Sequence, residues 1–234
     1  MTRSSPLLAW RGAKSVHAKK IVAHLPSVPI LDLFGGGGSI VTAHPQGGAW
    51  NDADHRLFRL AAHVKADPVA YQQACRTLPT DPEGAAWLWA HIRNHLDTVP
   101  PHLFAWAAQF TFGATFAGRV HITDMNLKCW KTHVNGAVER SQAWSKIVLL
   151  TRPYQEALRL LPDVPVFADP PYPGTVTCGY AAAVDHAELN ALLDNHMAPV
   201  WRTGWSGDCA WPGIPLTGGK QNKTTYLYAR DGFQ

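Results

Sequence analysis

Residues 28–39, with the sequence VPILDLFGGGGS, carry the clearest fold signal in the chain. The run before the glycines is mostly apolar, which is typical of a buried strand, and Gly35 to Gly38 predict a tight turn directly after it. The apolar residues that follow Ser39 predict the start of a helix. A strand, a glycine turn and a helix in this order indicate an α/β fold.

Strands and helices continue to alternate along the chain. The other predicted strands are 48–51, 164–168, 199–205 and 224–230, and the predicted helices are 14–25, 56–65, 69–76, 84–96, 102–110 and 184–195. The pattern between 113 and 145 is too poor to predict an element. We therefore expect a mostly parallel three-layer sheet, interrupted by a separate and mainly helical lobe at 57–160.

Composition supports a folded domain of moderate size. The chain has 234 residues, of which 46% are hydrophobic, and its ten tryptophans argue against disorder. No apolar run approaches the roughly 18 residues of a membrane span, and no apolar stretch follows the basic N-terminus as in a signal peptide. We expect a cytoplasmic protein without a membrane partner. The net charge of +4 is compatible with a polyanionic partner but does not establish one.

Cysteine and histidine spacing does not predict a metal site. The four cysteines are far apart and form no CxxC pair, so reduced thiols are expected at Cys75, Cys129, Cys178 and Cys209. His91 and His95 are spaced i, i+4 on a predicted helix, but the glutamate of a metalloprotease motif is absent between them. We interpret both histidines as surface or packed side chains.

The glycine turn and Asp52 together indicate a cofactor that contains adenosine. Glycines let a ligand approach the main chain closely, and such a turn can hold a phosphate or an adenosyl group. Asp52 ends the next predicted strand, where a carboxylate can accept both hydroxyls of a ribose. These features do not separate a dinucleotide from other adenosine cofactors. Taken singly, the glycines are also explained by a plain tight turn, and Asp52 by an ordinary helix cap.

The tetrad at 169–172, with the sequence DPPY, follows another predicted strand. Its two prolines remove backbone donors and stiffen the turn. The Asp169 carboxylate and the Pro170 carbonyl can accept the two N–H groups of an amine on an aromatic ring, and Tyr172 can stack on a flipped base. A rigid loop with a capping aspartate is the alternative interpretation.

Four motifs in this order resemble those of the Dam-type DNA adenine methyltransferases and their phage relatives. In chain order they are WRGAK at 10–14, DLFGGGGS at 32–39, Asn51-Asp52 and DPPY at 169–172. They look like the family's WxGxK motif, its (D/E)xFxGxGS cofactor loop, its acidic ribose-binding turn and its catalytic tetrad. The sequence departs from the family at Ala13, which replaces a glycine, and lacks the asparagine–arginine–glycine signature of the recognition hairpin.

The resemblance implies a Rossmann-like methyltransferase sheet formed by 1–56 and 161–234, with a target-recognition lobe at 57–160. It implies methyl transfer from S-adenosyl-L-methionine to the N6 amino group of an adenine flipped out of double-stranded DNA, without a metal. The predicted catalytic residues are Asp169, Pro170 and Tyr172. The predicted cofactor-binding residues are Trp10, Lys14, Asp32, Phe34, Gly35, Gly37, Ser39, Asp52 and Asp169.

DNA contacts are predicted in the lobe, where basic and aromatic residues are interleaved. The predicted residues are Arg119, Lys128, Trp130, Lys131 and Arg140, and an ordinary solvated surface is the alternative. We expect a monomer or weak dimer that protects DNA in a bacterial or phage-infected cell.

Other functions explain less of the sequence. N4-cytosine enzymes of this type more often carry serine in place of Asp169, and a nicotinamide oxidoreductase leaves the tetrad unexplained. RNA adenine methylation and a catalytically silent nucleic-acid-binding relative remain as alternatives.

Overall fold

One mixed β-sheet organises the part of the chain that the structure describes. The structure is a computed structural model and describes residues 6–8, 10, 12–111, 116, 118–172, 184–205, 207–217 and 224–233. The strands are β1 (Ile30–Asp32), β2 (Gly48–Asn51), β3 (Val148–Leu150), β4 (Val166–Ala168), β5 (Val200–Trp205), β6 (Gly213–Thr217) and β7 (Thr225–Ala229). Seven strands lie in the order β3-β2-β1-β4-β5-β7-β6.

The first five strands are parallel and define where a ligand can bind. β1 lies between β2 and β4, with Asp32 opposite Trp50 on one side and Phe167 on the other. The order 3-2-1-4-5 is that of a doubly wound α/β sheet, and the strand order reverses between β1 and β4. Ligands of such sheets bind in the crevice outside the carboxyl ends of the strands at this reversal. β7 runs antiparallel to both β5 and β6.

Helices surround the sheet, and most begin at a residue suited to that position. They are α1 (Ala18–Val22), α2 (His55–Ala66), α3 (Pro68–Arg76), α4 (Pro82–Ile92), α5 (Pro101–Phe110), α6 (Asp124–Asn135), α7 (Ala137–Trp144), α8 (Tyr154–Leu160) and α9 (His186–Asp194). Aspartate side chains cap α2, α3, α4 and α9, and a threonine caps α6. Within the described ranges, none of these helices has the length and apolar character that crossing a bilayer requires.

The helices between β2 and β3 share a core with the sheet. Trp50 of β2 and Trp144 at the end of α7 are fully buried, and their rings meet edge to face at 5.9 Å. The same apolar cluster includes Trp10 from the N-terminal segment, together with Phe104 and Trp106 of α5. This continuous core packs the helical segment against β2, next to the glycine turn.

Most predicted elements match the structure, and the differences have physical reasons. The stretch after Ser39 forms consecutive turns instead of the predicted helix, because Pro45 disfavours helical backbone at the residue before it. The helices α6, α7 and α8 and the strands β3 and β6 were not predicted. β3 is only three residues long, and a short apolar run such as Val148–Leu150 does not by itself distinguish a strand from a buried helix. It pairs with β2, so the sheet takes residues from within the stretch 57–160.

Gly38→Ala is expected to lower the free energy of unfolding by about 2–5 kcal/mol. Gly38 has φ +77°, and a methyl group there would overlap the ring of Trp144. Gly232→Ala is the matched control, because Gly232 has φ +80° with open space around it. The control carries only the conformational cost of about 1–2 kcal/mol. Urea denaturation measures both, and equal losses would contradict the packing role of Trp144.

Candidate active site

A cavity of about 290 Å³ lies at the carboxyl ends of the parallel strands, where the strand order reverses. Every residue that the sequence predicted for cofactor binding or catalysis lines it: Trp10, Lys14, Asp32, Phe34, Gly35, Gly37, Ser39, Asp52, Asp169, Pro170 and Tyr172. The sheet topology brings them together from four separate parts of the chain. Apolar residues that the sequence did not single out complete the wall, among them Ile40, Phe167 and Val184.

Tryptophan rings occupy the space beside the glycine turn. A side chain at Gly35 would overlap Trp50, and one at Gly36 would come within 3.0 Å of Trp10. Gly36 also has φ +48°, which favours glycine. The turn therefore brings main-chain atoms to the cavity surface while its outer side is packed against aromatic rings.

Asp52 presents a half-buried carboxylate beside this turn. Its two oxygens accept hydrogen bonds from the backbone N–H groups of Gly36, at 2.8 Å, and Asp54, at 2.9 Å. Burial nevertheless raises the pKa of this carboxyl to about 6, against the opposing effect of the two hydrogen bonds. Each carboxylate oxygen has a second lone pair, so the side chain keeps acceptor capacity for hydroxyl groups.

The turn that carries Asp52 is held by an ion pair next to it. Arg56 donates to the two carboxylate oxygens of buried Asp54 over 2.8 and 2.6 Å. Its guanidinium lies over the rings of Phe104 and Phe116, at 5.4 and 5.2 Å. A two-bonded arginine pair of this kind fixes orientation as well as distance.

Asp32 is the most deeply buried carboxyl group of the cavity. It is 2% exposed, and the backbone N–H of Val41 donates to it over 3.3 Å. Burial raises its pKa to about 8, and the neighbouring Asp169 and Asp52 carboxylates add to the effect. Asp32 is therefore mostly protonated at neutral pH.

Asp169 is held from two sides. The Lys14 ammonium lies 2.7 Å from both carboxylate oxygens and also donates to the carbonyl of Gly12 over 2.9 Å. The hydroxyl of Thr203 donates to the carboxylate from β5. Sequence reasoning missed Thr203, because only the pairing of β4 with β5 places it beside the tetrad.

The ring of Tyr172 packs beside Trp205 and Lys14, next to Asp169. Its ring meets that of Trp205 at 5.2 Å and 74°, and the Lys14 ammonium lies 5.0 Å from its centroid. Burial raises the pKa of the phenol above its usual range, so the side chain is neutral. An aromatic face thus lies close to the Asp169 carboxylate.

The structure separates the predicted DNA-binding residues. Lys128 and Lys131 are exposed on α6, and Arg119 is exposed before it. Trp130 is 3% exposed and stacks on His133 at 5.2 Å, which contradicts a role in base stacking. Arg140 is half-buried and donates to the backbone carbonyl of His133, so its guanidinium faces the protein. α6 is amphipathic, and its apolar face turns Trp130 inward.

Within the described ranges, no group of three or more histidine, cysteine or acidic side chains is arranged to hold a metal ion. Cys75, Cys129 and Cys209 are free thiols, and Cys178 lies outside the described residues. His91 and His95 are both exposed, and the His91 ring packs on Trp87 at 4.1 Å.

Asp32→Asn is expected to flatten the dependence of stability on pH. The folded-state pKa of Asp32 is about 8 against a reference value of 3.8. Its contribution to stability is therefore complete below the lower value and is lost as the pH rises through the higher one. Urea unfolding between about pH 5 and about pH 8.5 measures this slope.

Asp67→Asn is the control for this measurement, because Asp67 is an exposed cap of α3 and asparagine caps equally well. This variant is expected to keep the slope of the wild-type protein. Parallel pH profiles for Asp32→Asn and the wild type would contradict the buried, protonated state of Asp32.

No protein-family model matches the chain, and no curated protein matches its sequence. The function is therefore inferred from the chemistry of the cavity.

Proposed function

We propose that this chain is an S-adenosylmethionine-dependent methyltransferase that acts on the N6 amino group of adenine in double-stranded DNA. The observation that carries the proposal is the Asp169 carboxylate, which lies with Tyr172 in the same cavity as the glycine turn and Asp52. The mixed sheet is compatible with a Rossmann-like methyltransferase fold. The ordered resemblance to the Dam-type family supports the same assignment.

The charge of the cavity favours a cationic cofactor over a dinucleotide. Among the described residues, three carboxyl groups and one lysine line it, and this lysine, Lys14, is paired with Asp169. Because Asp32 is mostly protonated at neutral pH, the uncompensated charge of the described wall is the Asp52 carboxylate, which disfavours a pyrophosphate and favours a sulfonium.

The residues present fit S-adenosylmethionine. Asp52 has acceptor capacity for the two ribose hydroxyls, and the main chain of the glycine turn allows close approach of the adenosyl group. Trp10 and Phe34 supply apolar surface. When bound, this cofactor supplies an electrophilic methyl group.

Asp169 and the tetrad would prepare the acceptor amine. The Asp169 carboxylate and the Pro170 carbonyl are acceptors for the two N–H groups, which orients the amine and raises electron density on its nitrogen. Tyr172 offers a fixed face for a base out of the helix stack. Lys14 and Thr203 hold the carboxylate in place, so catalysis depends on positioning and electrostatic stabilisation of the amine.

DNA as the partner is supported by charge alone. The chain carries a net charge of +4, and Arg119, Lys128 and Lys131 present cations to solvent near α6. Such side chains can contact phosphates. Their arrangement does not favour one base sequence over another.

Asp169→Asn is expected to lower kcat for DNA methylation by at least about 100-fold. The amide keeps the shape but replaces a carboxylate oxygen with a donor, which repels the amine N–H. Labelled methyl transfer from S-adenosylmethionine to unmethylated duplex DNA, followed by nucleoside analysis, measures it. Asp163→Asn is the control, because Asp163 is exposed before β4.

Labelled 6-methyladenine from the wild type and the Asp163→Asn control, lost in Asp169→Asn, is the expected result. Label in cytosine would contradict adenine as the target base and would support N4-cytosine methylation. Label in RNA but not in DNA would show that the substrate is RNA. Cofactor binding without any transfer would support a silent binding protein instead.

Cofactor affinity is expected to fall as the pH falls through 6, the approximate pKa of Asp52. Above this value the carboxylate accepts from the ribose hydroxyls, and below it the protonated acid loses acceptor capacity. The dissociation constant should rise by up to about tenfold per pH unit on the acid side. Calorimetric titration measures it, with Asp52→Asn expected to bind weakly and with this pH dependence removed. A flat wild-type profile would contradict the role of Asp52.

A further inference from the structure

The backbone at Phe116 is strained. Its φ of +54° lies in the left-handed region, and among the described residues it is the one residue other than glycine that adopts such a value. A bulky side chain rarely takes this conformation, which costs free energy and persists only where the surrounding structure imposes it. Strain of this kind is often found at binding sites. The contacts of Phe116 therefore indicate what its conformation serves.

The ring of Phe116 lies against two aromatic rings and an arginine. It stacks on Phe104 at 5.4 Å and 30°, and it meets the ring of Trp10 at 6.2 Å. The Arg56 guanidinium lies 5.2 Å from the centroid of the Phe116 ring. Aromatic pairs and cation–π contacts at these distances are attractive. Phe116 thus lies between an arginine and a tryptophan that belong to different parts of the chain.

Trp10 extends the contact of Phe116 to the wall of the cavity. Trp10 is 9% exposed and lines the cavity. Its ring packs against the glycine turn, where a Cβ added at Gly36 would come within 3.0 Å of it. Because interior side chains are closely packed, loss of the Phe116 ring would allow Trp10 to shift away from this position.

Arg56 extends the contact of Phe116 to the carboxylate proposed for the ribose. Its guanidinium donates to both carboxylate oxygens of Asp54, and the backbone N–H of Asp54 donates to Asp52 over 2.9 Å. Asp52 in turn accepts from the N–H of Gly36 over 2.8 Å. This glycine is the one against which the tryptophan packs, so the contacts close a ring that begins and ends at Phe116.

The helical segment between β2 and β3 holds Phe116 from both sides. Phe116 lies between Thr111 and Val120, which form an antiparallel bridge, and the indole N–H of Trp89 donates to the Gly118 carbonyl over 2.9 Å. Both contacts tie the chain around Phe116 to α4 and α5. Phe116 does not line the cavity itself, so any effect on a ligand acts through its neighbours.

We propose that Phe116 is a positioning residue of the cofactor site, which holds Trp10 in the cavity wall and, through Arg56, the turn that carries Asp52. Its strained backbone is retained because it directs the ring between Trp10 and Arg56. The consequence for S-adenosylmethionine rests on the proposed function, in which Trp10 and Asp52 hold the adenosyl group. The contacts themselves are testable without a ligand.

Two substitutions at Phe116 separate the aromatic ring from apolar bulk. Phe116→Leu keeps an apolar side chain but loses the aromatic face, and it is expected to raise the dissociation constant of S-adenosylmethionine by about 3-fold to 10-fold. Phe116→Tyr keeps the ring and is expected to stay within about 2-fold of the wild type. Calorimetric titration measures both. Phe233→Leu is the matched control, because Phe233 is also half-buried, packs on His24 and does not line the cavity.

The effect is expected on cofactor binding and not on methyl transfer. S-adenosylhomocysteine shares the adenosyl group but lacks the sulfonium, so its affinity should fall by the same factor. kcat at saturating cofactor should stay within about 2-fold of the wild type, because Lys14 and Thr203 still hold Asp169. Equal affinities for Phe116→Leu and the wild type would overturn the proposal. It would also be overturned by a loss confined to S-adenosylmethionine, or by one that only follows a loss of folded protein.

Hydrogen exchange of the Arg56 Nε–H group tests the contacts without a ligand. This group donates to Asp54 over 2.8 Å, and its NMR signal is assigned by its loss in Arg56→Lys. Phe116→Leu is expected to speed its exchange with water by about 3-fold to 10-fold, whereas Phe233→Leu should leave the rate unchanged. An unchanged rate in Phe116→Leu would contradict the positioning role.

The two measurements distinguish the role of Phe116 from the proposed function. Faster exchange in Phe116→Leu, in a chain that binds neither S-adenosyl compound, would support the positioning of Arg56 and refute the methyltransferase assignment. Methyl transfer to DNA by a Phe116→Leu variant with wild-type affinity and exchange would support the assignment and overturn the role of Phe116.

Discussion

Three carboxyl groups of the described chain share one cavity at the carboxyl ends of the parallel strands, and their burial there is the constraint on which the rest of the site depends. Each is stabilised differently. Asp169 is paired with the Lys14 ammonium and accepts a hydrogen bond from the Thr203 hydroxyl. Asp52 is supported by backbone N–H groups, and Asp32 has a pKa raised to about 8 and takes up a proton instead. Burial disfavours the ionised form of Asp32 and Asp52, and the three carboxyl groups differ because their local donors differ.

The tryptophan-lined glycine turn connects this electrostatic arrangement to the hydrophobic core. Trp10, Trp50 and Trp144 lie where side chains at the turn would otherwise project. The glycines therefore leave room for the tryptophan rings on one side and expose main-chain atoms to the cavity on the other. Because Trp144 ends α7, the helices between β2 and β3 are packed directly against the glycine turn of the cavity. Close-packed interiors transmit small displacements, so changes in this helical segment reach the site.

The tetrad depends on its neighbours in a different way. Two consecutive prolines make it stiff but leave it poor in backbone donors, so it depends on side chains from other elements. Thr203 of β5 donates to the Asp169 carboxylate, and Lys14 from the N-terminal segment pairs with it. Arg202, the residue before Thr203, is buried against Asn190 and His186 of α9. β5 thus supports the aspartate of the tetrad while it packs against α9.

The sequence by itself determined the strand and glycine turn at 28–39, the strand at 48–51 and the position of the tetrad, because these depend on short-range residue types. It also identified the acidic residues of the cavity and Lys14, but it missed Thr203, which donates to Asp169 from β5. Tertiary structure alone decided that Lys14 meets Asp169, which is 155 positions away in sequence. It turned Trp130 inward, left β3 at the edge of the sheet and buried Arg202 against α9. The physical reason is that such contacts follow from the order in which the strands pair, which no local pattern of residues encodes.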